Sequence, residues 1–596
     1  MGRIDRSEAN IFKWPVGAYI RNKSYLYINI GNRYVSPSEK KEKGTRGYTG
    51  HDSICIGVVK DPEHPEEREF YANSNYLARI TPAELPEPPG FADSLTVGLT
   101  SWIREASSQS GLTEDLAKAF NEEDAQLILD LSNYMLSKES AVMQHFPAWA
   151  REHELFSPEI RDDTFVGRFL KNSITIPKIQ LFRELWAARN IGDGRIFLCY
   201  DSTNVNCQAE GVFIVQRGHA KDDPDLSQVN TDYVVRQSDG LPLTYLHSPG
   251  SVSDIAQASE MLRFIAHLKK IVKKDVKLCM ICDRGYISEK NLKDMDGGGI
   301  EYILMLRTSF SKYDTLAESA IDTIKSYKNE IKTPCNDERY GITIECTMYN
   351  DGPVCYAQII WSADRYQAKR KDVKLLIERQ REKLEAFISK NRDKSFESEE
   401  LKWVPSYFRL KLEPGEPKQL VKKKRGRGGG TKTENIETVK ISGYDDDEAA
   451  INRLYQKAGI AILITSTKMT VQETSDAYSK RDCVERTFQA LKSHLGMDKI
   501  GVTTEEAMHG KGLVWFTASI LHAILFNRTA PLRISDRKNY TVPAMIDQLE
   551  AIKADKNLST GKRERRYKLT RKQKQILQFW GMDEPYIDQR IASVSE

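Results

Sequence analysis

Two aspartates at the ends of apolar segments are the first residues of this sequence that could carry chemistry. Asp201 ends the run "RIFLCYD", and Asp283 ends the run "VKLCMICD". A carboxylate at the end of a buried strand costs on the order of several kcal/mol unless it is paired or binds a metal. Either aspartate alone is compatible with a helix cap or a turn. Two of them, on strands expected to be neighbours, favour a shared polar site.

A third carboxylate lies in the segment "YSKRDCVERTFQALK", residues 478–492, which has helical periodicity. In one continuous helix, Tyr478, Arg481, Glu485 and Lys492 fall within roughly 60° of one another. An apolar band beside them would pack the helix on a sheet, and it consists of Ala477, Val484, Phe488, Leu491 and Leu495. The alternative is a solvated flank with an i,i+4 salt bridge from Arg481 to Glu485, worth about a few tenths of a kcal/mol.

Together these residues predict phosphodiester chemistry. The carboxylates of Asp201, Asp283 and Glu485 could hold two divalent cations, because Mg²⁺ and Mn²⁺ prefer oxygen ligands. Two such ions roughly 4 Å apart stabilise the attacking and the leaving oxygens of a phosphoryl displacement. Three groups that can bind phosphate accompany the third carboxylate, and they are Tyr478, Arg481 and Lys492.

The pattern Y-x2-R-x3-E-x6-K at 478–492 resembles the signature of DDE transposases of the "IS four" group of bacterial insertion sequences. "YDSTNVN" and "CDRGY" resemble the family's motifs around its first and second Asp. "GHAKDDPDLSQV" (218–229) and "DGLPLTYLHSPGSVSD" (239–254) look like the segments between those motifs, with Ser251 where Asn is more usual. The resemblance covers about 195–310 and 455–530.

The resemblance implies an α/β, ribonuclease-H-like catalytic domain: a mixed sheet flanked by helices and interrupted by an inserted domain before the Glu helix. It implies cleavage of double-stranded DNA at transposon ends, with a hairpin step in some members. It also implies transfer of the freed 3′-OH into target DNA, with water and then the 3′-OH as nucleophile. A homodimer in the synaptic complex is expected by analogy with the family.

Further arginines are candidates for DNA contacts. Arg284 follows the second Asp, and Arg425 and Arg427 lie in the glycine-rich basic segment "VKKKRGRGGGTK". Arginines in such a segment can track a phosphate backbone or enter a minor groove, although a solvated loop has the same composition. The tail segment "KRERRYKLTRKQK" (562–574) is also basic and favours DNA contact over a solvated surface.

The composition limits the class of protein. The 596 residues carry a net charge of only +4, so DNA binding must rest on local basic clusters. Nine scattered cysteines indicate reduced thiols and a cytoplasmic protein. The N-terminus has no apolar core of a secretory signal. The longest apolar stretch, 512–526, is too short to span a bilayer, so no membrane partner is expected.

Changes in periodicity divide the chain into five regions. We expect a β-rich domain at 1–90, ending in the Pro-rich linker 82–90, and a helical region at 91–189 with a possible role in binding DNA ends. The catalytic domain is expected at 190–310 and 455–530, because strand-like runs alternate there with amphipathic helices. A β-rich and helical insertion at 311–454 and a basic helical region at 531–596 complete the prediction.

Two other functions remain open from the sequence. A structure-specific nuclease of similar fold would cut DNA but would not join it to a target. A DNA-binding relative without catalysis would keep the fold, although the three carboxylates argue against this alternative.

Overall fold

The fold is known from a computed structural model that describes residues 4–35, 48–80, 91–207, 209, 212–218, 226–272, 275–333, 337–423, 431–497, 499–557 and 560–594. The linker 82–90, most of the segment 218–229, and Arg425 and Arg427 lie outside the described residues. The chain forms two compact units. The first consists of 1–94 with 555–564, and the second of 95–554 with 565–594.

The first unit contains an antiparallel sheet of five strands in the order β1-β5-β4-β3-β2. Their bounds are β1 Ile11–Lys13, β2 Tyr19–Arg21, β3 Tyr25–Val35, β4 Tyr48–Val59 and β5 Glu69–Ala72. One face of this sheet buries a small core of Leu26, Ile56, Phe70 and Ala72. Helix α1 (Ser74–Ile80) and strand β6 (Phe91–Thr96) follow.

The second unit begins with helices that share the core of its large sheet. They are α2 Gly98–Ser110, α3 Leu112–Phe120, α4 Glu122–Lys138, α5 Phe146–Ala150, α6 Asp163–Asn172 and α7 Ile176–Asn190. Their apolar side chains, such as Trp102, Phe120 and Trp186, belong to one hydrophobic core with the sheet residues Leu198 and Tyr233. The region predicted as helical at 91–189 thus begins with strand β6, and its helices, from Gly98 on, are packed into the same compact unit as the sheet.

The central sheet has eight strands in the order β12-β13-β18-β11-β10-β7-β8-β9. Their bounds are β7 Arg195–Asn206, β8 Gln228–Arg236, β9 Pro242–Pro249, β10 Lys277–Cys282, β11 Glu301–Met305, β12 Arg339–Thr347, β13 Val354–Ser362 and β18 Ile460–Thr465. β7 is antiparallel to β8 and parallel to β10, and β10 is parallel to β11. Helices α8 (Asp254–Ile271), α9 (Glu289–Gly297) and α10 (Tyr313–Ala320) lie between these strands in the sequence. The predicted mixed α/β sheet flanked by helices is confirmed.

The start of the inserted region differs from the prediction. β18 pairs with β11, as expected for a strand that resumes the sheet, but it also pairs with β13. β12 and β13 therefore extend the sheet at one edge instead of belonging to an insertion at 311–454. Edge pairing of this kind depends on contacts between distant segments, and the local pattern of a strand does not reveal its partner.

Outside the sheet, this region consists of one long helix, two hairpin-like strand pairs and a short helix. They are α11 Ala363–Lys390, β14 Phe408–Pro414 paired with β17 Val439–Asp446, β15 Lys418–Lys423 paired with β16 Thr431–Ile436, and α12 Glu448–Lys457. Ile377, Leu384 and Phe408 form a separate small core. A core of its own indicates that residues from 363 to about 457 fold as a local subdomain.

The segment predicted as one helix at 478–492 forms two helices, α13 (Val471–Ser479) and α14 (Asp482–His494). Thr470 and Glu473 cap α13 reciprocally, and the chain leaves the helix at Lys480, whose ψ is 1°. Tyr478 is therefore on a different helix from Glu485. Helical periodicity predicted helix on both sides of Lys480 but did not reveal the break between α13 and α14.

The chain ends in α15 Glu505–Arg528, α16 Ala530–Ser535, α17 Val542–Glu550, β19 Lys553–Asn557, β20 Arg563–Arg565, α18 Arg571–Leu577 and α19 Glu584–Ser593. The C-terminal region was predicted to be helical, but it also contains the strands β19 and β20. The apolar stretch of 512–526 lies inside α15, most of which is buried. Within the described part of the chain, no helix is both long enough and apolar enough to cross a membrane.

The close packing of α15 on α6 leads us to predict that a larger residue at Gly510 destabilises the fold. A Cβ on Gly510 would lie 2.1 Å from the carbonyl oxygen of Leu170, so Gly510→Ala forces two helix backbones apart. We expect a loss of about 1–3 kcal/mol in the free energy of unfolding, measured by urea denaturation. Gly167→Ala on α6 is the matched control, since its Cβ would meet nothing within 4 Å. Equal stability of the two variants would contradict this packing.

Candidate active site

The register of two parallel strands places two aspartates side by side. Cys282, the last residue of β10, pairs with Tyr200 of β7. Asp283 and Asp201 are the next residues along each strand. Because neighbouring strands lie about 4.8 Å apart, both carboxylates occupy the same edge of the sheet.

Each aspartate is oriented by a backbone amide and a tyrosine. The Oδ1 atom of Asp201 accepts hydrogen bonds from the Ser202 amide at 2.9 Å and from the Tyr286 hydroxyl at 3.3 Å. The Oδ1 atom of Asp283 accepts from the Arg284 amide at 2.7 Å and from the Tyr478 hydroxyl at 3.3 Å. In both cases Oδ1 takes these bonds, and the side chain is held in one orientation.

Arg481 connects the strand edge to α14. One guanidinium nitrogen lies 3.0 Å from Oδ2 of Asp201, and another lies 2.7 Å from Oε1 of Glu485. The side chains of Arg481 and Asp201 are only 14% and 18% exposed, whereas Glu485 is 58% exposed. The predicted i,i+4 salt bridge is present, but it is not a solvated flank, because the same guanidinium also binds a carboxylate on the central sheet.

The protonation states of Arg481 and Tyr478 follow from their surroundings. Burial lowers the pKa of Arg481, but the nearby tyrosine and carboxylates raise it by more, so the guanidinium stays charged. Burial, with the neighbouring Asp283 charge, raises the pKa of Tyr478. Its hydroxyl therefore remains a hydrogen-bond donor.

A cavity of about 440 Å³ opens onto these groups. Asp201, Asp283 and Glu485 all line it, together with Arg481 and Arg284. The remaining lining residues are Ser202, Thr203, Gly285, Tyr286 and Phe488. Carboxylates from β7, β10 and α14 thus face one space beside two arginines.

Lys492 is placed differently from the other predicted phosphate contacts. It lies seven residues beyond Glu485 on α14, which corresponds to about 10 Å along the helix axis, and it is outside the lining of this cavity. Tyr478 is also outside the lining, but its hydroxyl reaches Asp283.

Comparison with known proteins identifies the family. Residues 192–521, more than half of the chain, match the family model of the transposase DDE domain. The chain belongs to this transposase family. The matched segment contains β7, β10 and α14, and so all three carboxylates of the cavity.

Other comparisons find less. No curated protein matches the sequence at a significant level. Among solved structures, a cryo-EM structure of the piggyBac transposase synaptic complex with hairpin DNA is 8% identical, with a TM-score of 0.31, over 83% of this chain and 82% of that chain.

The donor chemistry of this DDE domain suits a hard divalent cation, since its three carboxylates supply oxygen ligands around one cavity. The arrangement as it stands is not a formed metal site. Throughout the described ranges, no group of three or more His, Cys, Asp and Glu side chains is placed to hold a metal ion. Arg481 instead binds both Asp201 and Glu485. Asp201, Asp283 and Glu485 line one cavity, but the predicted cation-ready cluster of their carboxylates is not formed.

Sequence reasoning missed the contribution of Tyr286. Its ring packs against Tyr200 at 4.7 Å between centroids, and its hydroxyl reaches Asp201. The only signal was its place in "CDRGY", three residues after Asp283.

The basic segment 562–574 is less available for DNA than its composition suggested. Arg563 forms an ion pair with Asp93. Arg565 binds Glu584 and Asp588, and Lys574 also binds Glu584. Three of the eight basic residues in this segment are thus paired with acidic residues of the protein.

Proposed function

We propose that the protein cleaves double-stranded DNA at the ends of a transposable element and joins the freed 3′-OH ends to target DNA. The observation that carries this proposal is the shared cavity. Carboxylates of Asp201, Asp283 and Glu485 reach it from three different elements inside the matched transposase domain. Three carboxylates that face a charged, open cavity are the arrangement that phosphodiester chemistry on divalent cations needs.

The proposed cofactors are two Mg²⁺ or Mn²⁺ ions held by Asp201, Asp283 and Glu485. Bound there, the ions would activate the attacking oxygen and neutralise charge on the scissile phosphate. The guanidinium of Arg481 occupies one oxygen of Asp201 and one of Glu485, so it would compete with a cation for these two carboxylates. Once displaced by a cation, Arg481 is available for a bidentate contact with phosphate.

The other side chains around the cavity bind and orient. Tyr286 and Tyr478 hold Asp201 and Asp283 through their hydroxyl groups. Arg284 is exposed at the cavity and is proposed to contact a phosphate of the bound DNA. Lys492 is proposed to contact the phosphate backbone further along the same DNA strand.

The finer classification is also a proposal. Strands β9, β8, β7, β10 and β11 are neighbours in that order, with the first three antiparallel and the last three parallel. This arrangement supports a ribonuclease-H-like catalytic domain. The Y-x2-R-x3-E-x6-K pattern supports membership of the "IS four" group of bacterial insertion sequences. By analogy with that group, we propose that the protein acts as a homodimer on paired DNA ends. The scattered cysteines support a cytoplasmic location.

The test is incubation of the purified protein with a plasmid that carries its gene and the DNA bordering that gene. With Mg²⁺ we expect double-strand breaks at two fixed positions on either side of the gene, followed by insertion of the released fragment into a second plasmid. Sequencing of the products maps both events. Chelation by EDTA should abolish both, and addition of Mn²⁺ should restore them.

The outcome separates the alternatives. Breaks without insertion would indicate the structure-specific nuclease. DNA binding without breaks in either metal would indicate a relative that has lost catalysis.

A further inference from the structure

A second and larger cavity lies in the same compact unit as the active site. Its volume is about 940 Å³, and its walls are the exposed face of α6, the loop 139–144, and Gly496 and residues 499–504 with the first turns of α15. We call it the α6 groove. No motif of the sequence pointed to it, because its three walls are far apart in the chain.

The groove carries exposed positive charge. Arg168 and Lys171 are three residues apart on α6 and therefore share one face. Lys499, in the segment that follows α14, also lines the groove and is exposed. None of these three forms an ion pair with another described residue. The acidic residues of the lining are Glu139, which lies 3.4 Å from the His494 ring, and Asp163.

The rest of the lining combines polar and apolar side chains, and the apolar ones are Ala141, Val142, Met143, Leu170, Val502 and Ala507. Short polar side chains come from every wall, and they are Ser140, Gln144, Thr164, Thr503 and Thr504. Gly501 is exposed and adopts a φ of +57°, which brings bare backbone to the surface. Hydroxyls, amides and backbone N–H groups beside arginine and lysine are the usual partners of DNA phosphates.

The walls are held in place by close contacts. Gly496 has a φ of +63°, and a Cβ there would lie 2.7 Å from the Ala141 amide nitrogen. The ammonium group of the buried Lys511 donates a hydrogen bond to the carbonyl oxygen of Ile500. Gly510 brings α15 against Leu170 of α6. The groove is thus built into the packing and does not depend on a partner to form it.

The groove is connected to the active site by β7. Asp201 lies just past the midpoint of this strand, and Asn206 is its last residue. Asn206 forms an isolated parallel β-bridge with Lys499. The Ile500 amide also donates to the Asn206 carbonyl at 3.2 Å. Five residues of a strand span about 17 Å. Successive phosphates of one DNA strand advance by about 3.4 Å along the helix axis, so this distance corresponds to roughly five nucleotides.

We propose that the α6 groove binds the phosphate backbone of the DNA duplex roughly five nucleotides from the bond that is cut. This assignment rests on the proposed function, since it takes the cavity at Asp201 as the place of cleavage. Lys499, Arg168 and Lys171 contact the backbone there, and Lys492 lies on the helix between the two sites. The groove fixes the register of the DNA and carries no base recognition.

The experiment compares charge-reversal variants by fluorescence anisotropy on a labelled, mixed-sequence duplex over a range of salt concentrations. We expect Lys499→Glu and the double variant Arg168→Glu/Lys171→Glu each to weaken binding at least about tenfold at low salt. The slope of log affinity against log salt should fall by about 0.9 for each DNA phosphate that the variant no longer neutralises. Lys328→Glu is the matched control, because Lys328 is also exposed and has no ion pair with a described residue. All these side chains are exposed, so thermal melting should be unchanged.

A second measurement locates the binding position on the DNA. On DNA ends mapped by the plasmid assay, hydroxyl-radical footprinting of the wild-type protein should protect the backbone about five nucleotides from the cut. Both groove variants should lose that protection and keep the protection at the cut itself. The proposal would be overturned if both groove variants showed the affinity, the salt-dependence slope and the footprint of the wild-type protein. The anisotropy measurement requires no cleavage, so a failure of the groove is distinguishable from a failure of the proposed function.

Discussion

Glu485→Gln should lower the rate of DNA end cleavage at least about 1,000-fold while leaving the affinity for the same DNA nearly unchanged. The substitution keeps the size of the side chain and removes its charge. Loss of one carboxylate ligand weakens charge stabilisation at the scissile phosphate, which contributes about several kcal/mol, and each 1.36 kcal/mol corresponds to about tenfold in rate. Affinity depends mainly on backbone contacts elsewhere.

Asp482→Asn is the matched control for this variant. It removes one negative charge from the same helix, but its side chain is 57% exposed and pairs with Arg486 instead of facing the cavity. Cleavage should be measured on mapped end DNA in Mg²⁺, with gel-shift affinities at the same salt concentration. If Glu485→Gln cleaves as fast as Asp482→Asn, Glu485 is not a catalytic residue.

Arg481→Ala should lower the cleavage rate about 100-fold, which is the usual cost of removing one group that stabilises charge in a transition state. It should also destabilise the fold by about 1–3 kcal/mol, because it removes the ion-pair partner of the largely buried Asp201 carboxylate. Arg481→Lys should recover part of both losses, since a single ammonium cannot reach two carboxylates as a guanidinium does.

Arg486→Ala is the matched control for Arg481→Ala, because it removes an arginine that forms a surface salt bridge. Arg486 also pairs with an acidic residue on α14, at 3.0 Å, but its side chain is 56% exposed. Such pairs contribute about 0–1 kcal/mol. Thermal melting in the presence and absence of Mn²⁺ provides a readout besides activity. We expect Mn²⁺ to stabilise Arg481→Ala more than the wild type, because the cation then meets no competing guanidinium. Identical behaviour of the two arginine variants would support the solvated-flank interpretation.

Several features of the site followed from local sequence because they depend on short-range rules. Two apolar runs that each end in aspartate indicated buried strands with carboxylates at one edge, and the register of β7 and β10 places Asp201 and Asp283 side by side. The apolar band of 484–495 indicated a helix packed on a sheet, and Val484 and Leu491 are buried. The resemblance to DDE transposases also followed from these motifs, and the matched transposase DDE domain confirms that family.

Other features depended on contacts that no local pattern contains. The break between α13 and α14 falls within a segment of continuous helical periodicity, so periodicity could not detect it. The pairing of β13 with β18 joins segments about one hundred residues apart and moved the boundary of the inserted region. The strand pairing was decided by contacts between segments that are distant in the chain.

The sequence by itself determined the family, the strand-end carboxylates and the helix face that accompanies them, because residue type, spacing and periodicity act over a few neighbours. Only the tertiary structure decided what those groups touch. It placed the Arg481 guanidinium between Asp201 and Glu485, and it brought Arg168 and Lys499 to one groove. Such contacts join elements distant in the chain, and their positions are set by the packing of the whole core rather than by the residues themselves.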